Sequence, residues 1–177
     1  MFEWRNGSRP SMRCWCPKGR GGSTPLSNTY KKMKVLFLDI DGVLNTGNLI
    51  FVHGNKAVGE GQLSLLQSII FTTKAEIVLS STWRLYNSHR TVLIERFKEK
   101  NLTILDSTKE IRGEFSEFIP RSIEIEEWLD RHPEVTNFAI LDDSDDAEIK
   151  GHFFETNFQD GLTAEIAQKV IEYLNRG

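Results

Sequence analysis

Cysteine is almost missing from this chain: 177 residues contain two, Cys14 and Cys16, and none follows them. That excludes a disulfide framework for the main body and a zinc site built on thiolates, because a Cys-x-Cys pair with no second pair or nearby histidine is a weak metal signal. A reduced, cytoplasmic setting is the corresponding expectation. Long apolar runs are missing too, none approaching the roughly 20 residues a membrane helix needs. The N-terminal basic residues have no apolar stretch of secretory type behind them. Neither internal repeats nor low-complexity blocks occur.

Positive charge is scarce where the chain is richest in structure-forming residues. Residues 1–33 hold seven basic side chains against Glu3 alone, so the rest has fifteen basic groups against twenty-four acidic ones. An acidic body is a poor generic binder of polyanions, although a local basic cleft remains compatible with it. The basic, Gly/Ser/Pro-rich stretch 1–33 reads as a disordered N-terminal extension. Met33-Lys34, directly before the first apolar run, resembles a translation start, so residues 1–32 are expected to have no part in the fold. Residues 34–177 are long enough to bury a core as one domain.

What is present is organised around Val35–Asn45. An unalternating apolar run reads as a strand buried on both faces, the kind found inside a parallel sheet. It ends in Asp39 and Asp41, with Gly42 permitting a sharp turn. Two carboxylates at i and i+2 repel unless a cation or shared proton relieves them, and oxygen ligands favour a hard cation such as Mg2+. Phe138–Leu141 repeats the theme and runs into Asp142 and Asp143, with Ser144, Asp145 and Asp146 extending the acidic stretch. One solvated acidic turn is ordinary; a divalent ion bridging two strand ends accounts for both.

Between these lie further elements. Residues 43–59 read as a loop or short hairpin, and His53 within them as a surface residue. Leu63, Leu66, Ile69 and Ile70 give a helix over 61–73. Glu76–Leu79 reads as a second buried strand that ends in Ser80, Ser81, Thr82, Trp83 and Arg84. Hydroxyls at such an edge can donate to phosphate oxygens, and Arg84 could clamp them bidentately; helix capping is the alternative duty of the hydroxyls. A helix over 87–100, a strand at 102–105, a loop through 106–120 and a helix over 121–129 follow. Arg121, at that helix's start, opposes the macrodipole and so needs an anion, either phosphate or carboxylate. A short strand near 152–156 and a helix over 163–175, capped by Thr163, close the chain.

Asp39-Ile40-Asp41-Gly42-Val43, a strand ending in Ser80, Arg121 at a helix start and Ile140-Leu141-Asp142-Asp143 together resemble the ordered motifs of the haloacid dehalogenase (HAD) superfamily phosphatases, over about residues 34–176. Within that superfamily Ser80–Arg84, Arg121 with Glu124, Ile125, Trp128 and Leu129, and Gly161-Leu162-Thr163 look like the HAD domain of Swiss Army Knife RNA repair proteins. The resemblance implies a three-layer Rossmann-like α/β fold, a parallel sheet with helices on both faces. It implies Asp39 as the nucleophile that forms an aspartyl-phosphate and Asp41 as the acid and base. Mg2+ would be held by Asp39, the backbone carbonyl of Asp41, Asp142 and Asp143, with Ser80 and Ser81 on the phosphate and Arg121 on the transition-state charge. The superfamily more often has lysine in Arg121's place, which leaves Arg112 and Lys150 as other claimants.

The stretches between Asp39 and Ser80 and between Ser80 and Arg121 are about 40 residues each. Core elements use most of that length, whereas a lid domain with its own core needs about 50 or more. An open site without a large cap domain is therefore expected, suited to a phosphate on an RNA or DNA end. The expected function is a magnesium-dependent phosphomonoester hydrolase acting in nucleic-acid repair. The alternatives are a small-molecule phosphatase, a phosphotransferase and a non-catalytic HAD-fold module that binds a metal or protein.

Overall fold

The computed structural model describes residues 32–111 and 119–176. The basic stretch up to residue 31, with Cys14 and Cys16, and the candidate cation Arg112 lie outside the described residues. A parallel sheet forms the centre, with strands β1 (Met33–Leu38), β2 (Glu76–Leu79), β3 (Ile104–Ser107), β4 (Val135–Asp142) and β5 (Phe153–Glu155) in the spatial order β3-β2-β1-β4-β5.

Strand β1 explains the absence of alternation in its sequence. Val35, Phe37, Val78 and Ile140 pack against Ile125 and Trp128 of α4 (Arg121–Asp130). Leu36, Leu38, Ile77, Leu79, Ala139 and Leu141 face the opposite layer. That layer comprises α2 (Glu60–Thr73), α3 (Asn87–Glu99) and α5 (Ala164–Leu174). Both faces of the sheet are thus dry, as parallel strands covered by helices require. The result is the expected three-layer α/β architecture. Each fully buried aliphatic or aromatic side chain of these layers contributes roughly 1.5–3 kcal/mol relative to exposure.

Local signals hold at several ends. Thr163 accepts from the Ile166 N–H and caps α5. Ser81 accepts from the Trp83 N–H and opens a 3-10 turn over Thr82–Leu85, so the hydroxyl after β2 has a capping duty. Two expectations fail. Residues 47–53 are not loop but a short helix, α1 (Gly47–His53), started by Thr46 and burying none of its side chains, so it has no apolar stripe to betray it. The third strand begins two residues late, at Ile104, because α3 is terminated by Asn101 in the left-handed region (φ 54°) and Leu102 is consumed in the core.

Because β2 and β3 lie on one side of β1 while β4 and β5 lie on the other, the chain reverses its winding direction between β1 and β4. A crevice opens at the carboxyl ends of those two strands, the usual ligand position in an open α/β sheet.

Candidate active site

In the parallel register Leu38 pairs with Leu141, and the Asp39 N–H donates to the Leu141 carbonyl (2.9 Å). Asp39 and Asp142 therefore emerge side by side. Asp39, Asp142 and Asp143 each offer a carboxylate oxygen within 4.8 Å of the others. Arg121 reaches in from the first residue of α4, its Nη1 donating to Asp142 Oδ2 (2.5 Å) and lying 3.2 Å from Asp39 Oδ1. The anion it needs is supplied by these carboxylates.

Gly42 makes the crevice possible. Its φ of +69° is costly for a residue with a Cβ, and a Cβ there would stand 2.1 Å from Asp143 Oδ2. Its carbonyl accepts from Thr156 Oγ1 (2.7 Å) and its N–H donates to the Asn45 carbonyl (2.8 Å), which fixes the turn. Asp41 is held at both oxygens, Oδ1 accepting from Asn45 Nδ2 (2.8 Å) and Oδ2 from Trp83 Nε1 (2.9 Å).

The electrostatics are those of an under-neutralised cluster. Burial, followed by the nearby Asp142 carboxylate, raises the Asp39 pKa to about 7 against the pull of Arg121. Burial raises Asp142 to about 6 even though Arg121 and the Ser144 N–H favour its charge. Asp143 is also raised, again first by burial. Burial opposes the charge on Arg121, but Asp39, Asp142 and Asp146 outweigh it and raise its pKa.

One guanidinium among three clustered carboxylates leaves room in the charge balance for a divalent cation, and an all-oxygen donor set suits a hard one. A second observation points outward: Ser80 is wholly buried, and its hydroxyl has no hydrogen-bond partner among the described residues. Buried hydroxyls are normally satisfied, so this one is available to a ligand oxygen. The Ser81 hydroxyl favours the charged form of Asp39 and accepts from the Trp83 N–H in the turn.

Arg84 departs from expectation. Its Nε donates to the Thr108 carbonyl (2.9 Å), its Nη1 to the carbonyls of Ser80 (2.6 Å) and Ser81 (2.8 Å), and its Nη2 to Glu124 Oε2 (2.6 Å). The guanidinium is spent on tying the end of β2 to α4, not on clamping a phosphate. Lys150 is exposed on the turn after the acidic stretch. Of Arg121 and Lys150, Arg121 alone contacts the acids.

Four contributors escaped sequence reasoning. Asn45 and Trp83 hold Asp41, and Glu124 holds Arg84. Asp146 Oδ2 accepts from the Arg121 N–H (3.2 Å), capping α4 from outside where Pro120 provides no side-chain cap. Trp83 and Glu124 stand inside the motif segments Ser80–Arg84 and Arg121–Leu129, but their partners lie 42 and 40 residues away, beyond any local pattern.

Residues 35–167 match the family model described as the HAD domain in Swiss Army Knife RNA repair proteins. The chain belongs to this HAD family. No curated protein and no solved structure matches it at a significant level. The family carries phosphatase-type hydrolase chemistry on a phosphorylated substrate, generally with a divalent metal, and the acidic cluster provides a place for such an ion. No helix among the described residues is long and apolar enough to cross a membrane.

Proposed function

We propose that this HAD domain is a magnesium-dependent phosphomonoesterase that works through an aspartyl-phosphate on Asp39 and acts on phosphorylated nucleic-acid ends. The observation that supports it best is the convergence of Asp39, Asp142, Asp143 and Arg121 at the crevice between β1 and β4, with a Ser80 hydroxyl that has no partner among the described residues.

Asp39 attacks phosphorus while the bond to the leaving oxygen breaks, and Asp41 gives that oxygen its proton. Asp41, now a carboxylate, takes a proton from water as the water oxygen attacks phosphorus. The bond from phosphorus to Asp39 breaks, and inorganic phosphate leaves. Trp83 and Asn45 aim the Asp41 carboxyl throughout. Ser80 donates to a phosphoryl oxygen, and Arg121 offsets charge on the nucleophile and phosphoryl group. Asp39, Asp142, Asp143 and the Asp41 carbonyl would hold Mg2+, which supplies the positive charge that lets an anionic carboxylate approach an anionic phosphate. The description of the matching family as RNA repair supports nucleic-acid ends as substrates.

The test is release of phosphate from p-nitrophenyl phosphate and from a 3′- or 5′-phosphorylated oligonucleotide, with magnesium or a chelator, by wild type and Asp39→Asn. Chelator-sensitive release that vanishes in Asp39→Asn is expected, with the oligonucleotide preferred. Activity retained in Asp39→Asn would remove the mechanism. No release by a folded, magnesium-binding protein would favour a binding module instead.

A further inference from the structure

A groove of about 490 Å³ opens beside the acids and is lined by Asp41, Ile50, Asn55, Thr82, Trp83, Tyr86, His89 and Phe158. Its size falls within the roughly 300–1,000 Å³ of small-molecule sites. Asp41 is the one residue it shares with the catalytic constellation. On the phosphatase reading, on which this inference rests, Asp41 protonates the leaving oxygen, so the leaving group lies on the Asp41 side and the groove describes its chemistry.

That lining is rich in aromatic rings. Tyr86 is 58% exposed and Phe158 43% exposed. Beneath them Trp83 is buried, its indole N–H committed to Asp41, and the His89 ring packs edge-on against it with centroids 4.9 Å apart. Aromatic faces left open at a site suit a planar ring. Among the described residues no lysine or arginine lines the groove, so these side chains offer no cation to a further phosphate. Polar groups are nevertheless at hand: the side chains of Asn55 and Thr82 have no partner among the described residues. A plain phenyl ring would leave them idle, whereas the edge of a nucleobase carries donors and acceptors for both.

We infer that this groove is a leaving-group subsite for a nucleoside, in which the base adjacent to the scissile phosphate stacks on Tyr86 and Phe158 while Asn55 and Thr82 meet its polar edge. A base in that position is out of its own helical stack, so the substrate is a single-stranded or frayed end rather than a blunt, paired one.

Adenosine 5′-monophosphate and ribose 5-phosphate share the same leaving oxygen and differ in the base, so their comparison isolates the groove. With magnesium present, calorimetric affinity and kcat/KM are both expected to favour the nucleotide by roughly 5- to 100-fold, the worth of one stacked base. Tyr86→Ala and Phe158→Ala should each shrink that ratio toward one, while Tyr86→Phe, which keeps the ring, should preserve it. Equal affinities for the two compounds in the wild type, or tighter binding of phosphotyrosine than of the nucleotide, would overturn the inference. Preferential binding that collapses in Tyr86→Ala without any turnover would uphold the groove and discard the phosphatase reading.

Discussion

Arg84→Met offers a sharp test of the structure, because sequence and geometry assign that arginine different work. Its side chain is 5% exposed and that of its partner Glu124 7% exposed, so water screens the pair little. Methionine keeps much of the apolar volume but removes the charge and all four hydrogen bonds. Glu124 is then left buried without its cation, and among the described residues only the Ile111 N–H and the Thr108 hydroxyl still donate to it. Breaking such a pair typically costs about 3–5 kcal/mol. For a domain of this size that corresponds to a fall in Tm of roughly 6–20 °C.

Thermal unfolding followed by circular dichroism measures it, with phosphatase kinetics at a temperature where the variant is folded. The double variant Arg84→Met/Glu124→Leu should recover part of the loss, since it removes the stranded charge as well. A Tm within about 2 °C of wild type, together with a strongly raised KM, would refute the structural role and reinstate Arg84 as a phosphate ligand.

Three other outcomes are expected. The raised pKa values of Asp39 (about 7) and Asp142 (about 6) mean that the metal-free folded state holds protons the unfolded chain releases near 3.8. That stabilising contribution is full below pH 3.8 and is lost as pH rises through about 6 to 7. Chelated protein should therefore lose this increment between those limits, and the Tm gain on adding magnesium should be larger at pH 8 than at pH 5; a larger gain at pH 5 would contradict the sign. Gly42→Ala should combine a left-handed backbone cost of about 1–2 kcal/mol with displacement of Asp143, so magnesium titration should show weakened binding and kcat should fall; unchanged magnesium affinity would show that Asp143 is not a ligand. Asp146→Ala should cost about 1 kcal/mol by uncapping α4 and lower kcat through a less firmly held Arg121, read by unfolding and kinetics together; a stability loss with kcat unchanged would separate the cap from the chemistry.

Much of the fold was legible because its signals are local. The unbroken apolar run of β1, the matching run before Asp142 and the Thr163 cap each depend on neighbours in sequence, and burial on both faces of a parallel sheet writes itself into adjacent residues. Helix α1 was not legible, since it buries nothing and so carries no periodicity. Asp39, Asp41, Asp142 and Asp143 could be picked out as acids at strand ends, but their spacing could not. That followed from the register of β1 against β4, which joins residues about a hundred positions apart.

By itself, then, the sequence determined the layered α/β architecture and the residue types available at the carboxyl edge of the sheet. Tertiary structure alone decided what each does: Trp83 meets Asp41 across 42 residues, Arg84 meets Glu124 across 40, and Arg121 reaches Asp142 across 21. A guanidinium bonds whichever oxygens the folded chain presents to it, and burial decides how strongly a carboxylate resists its charge. Both depend on surroundings assembled from distant segments, which no local pattern encodes.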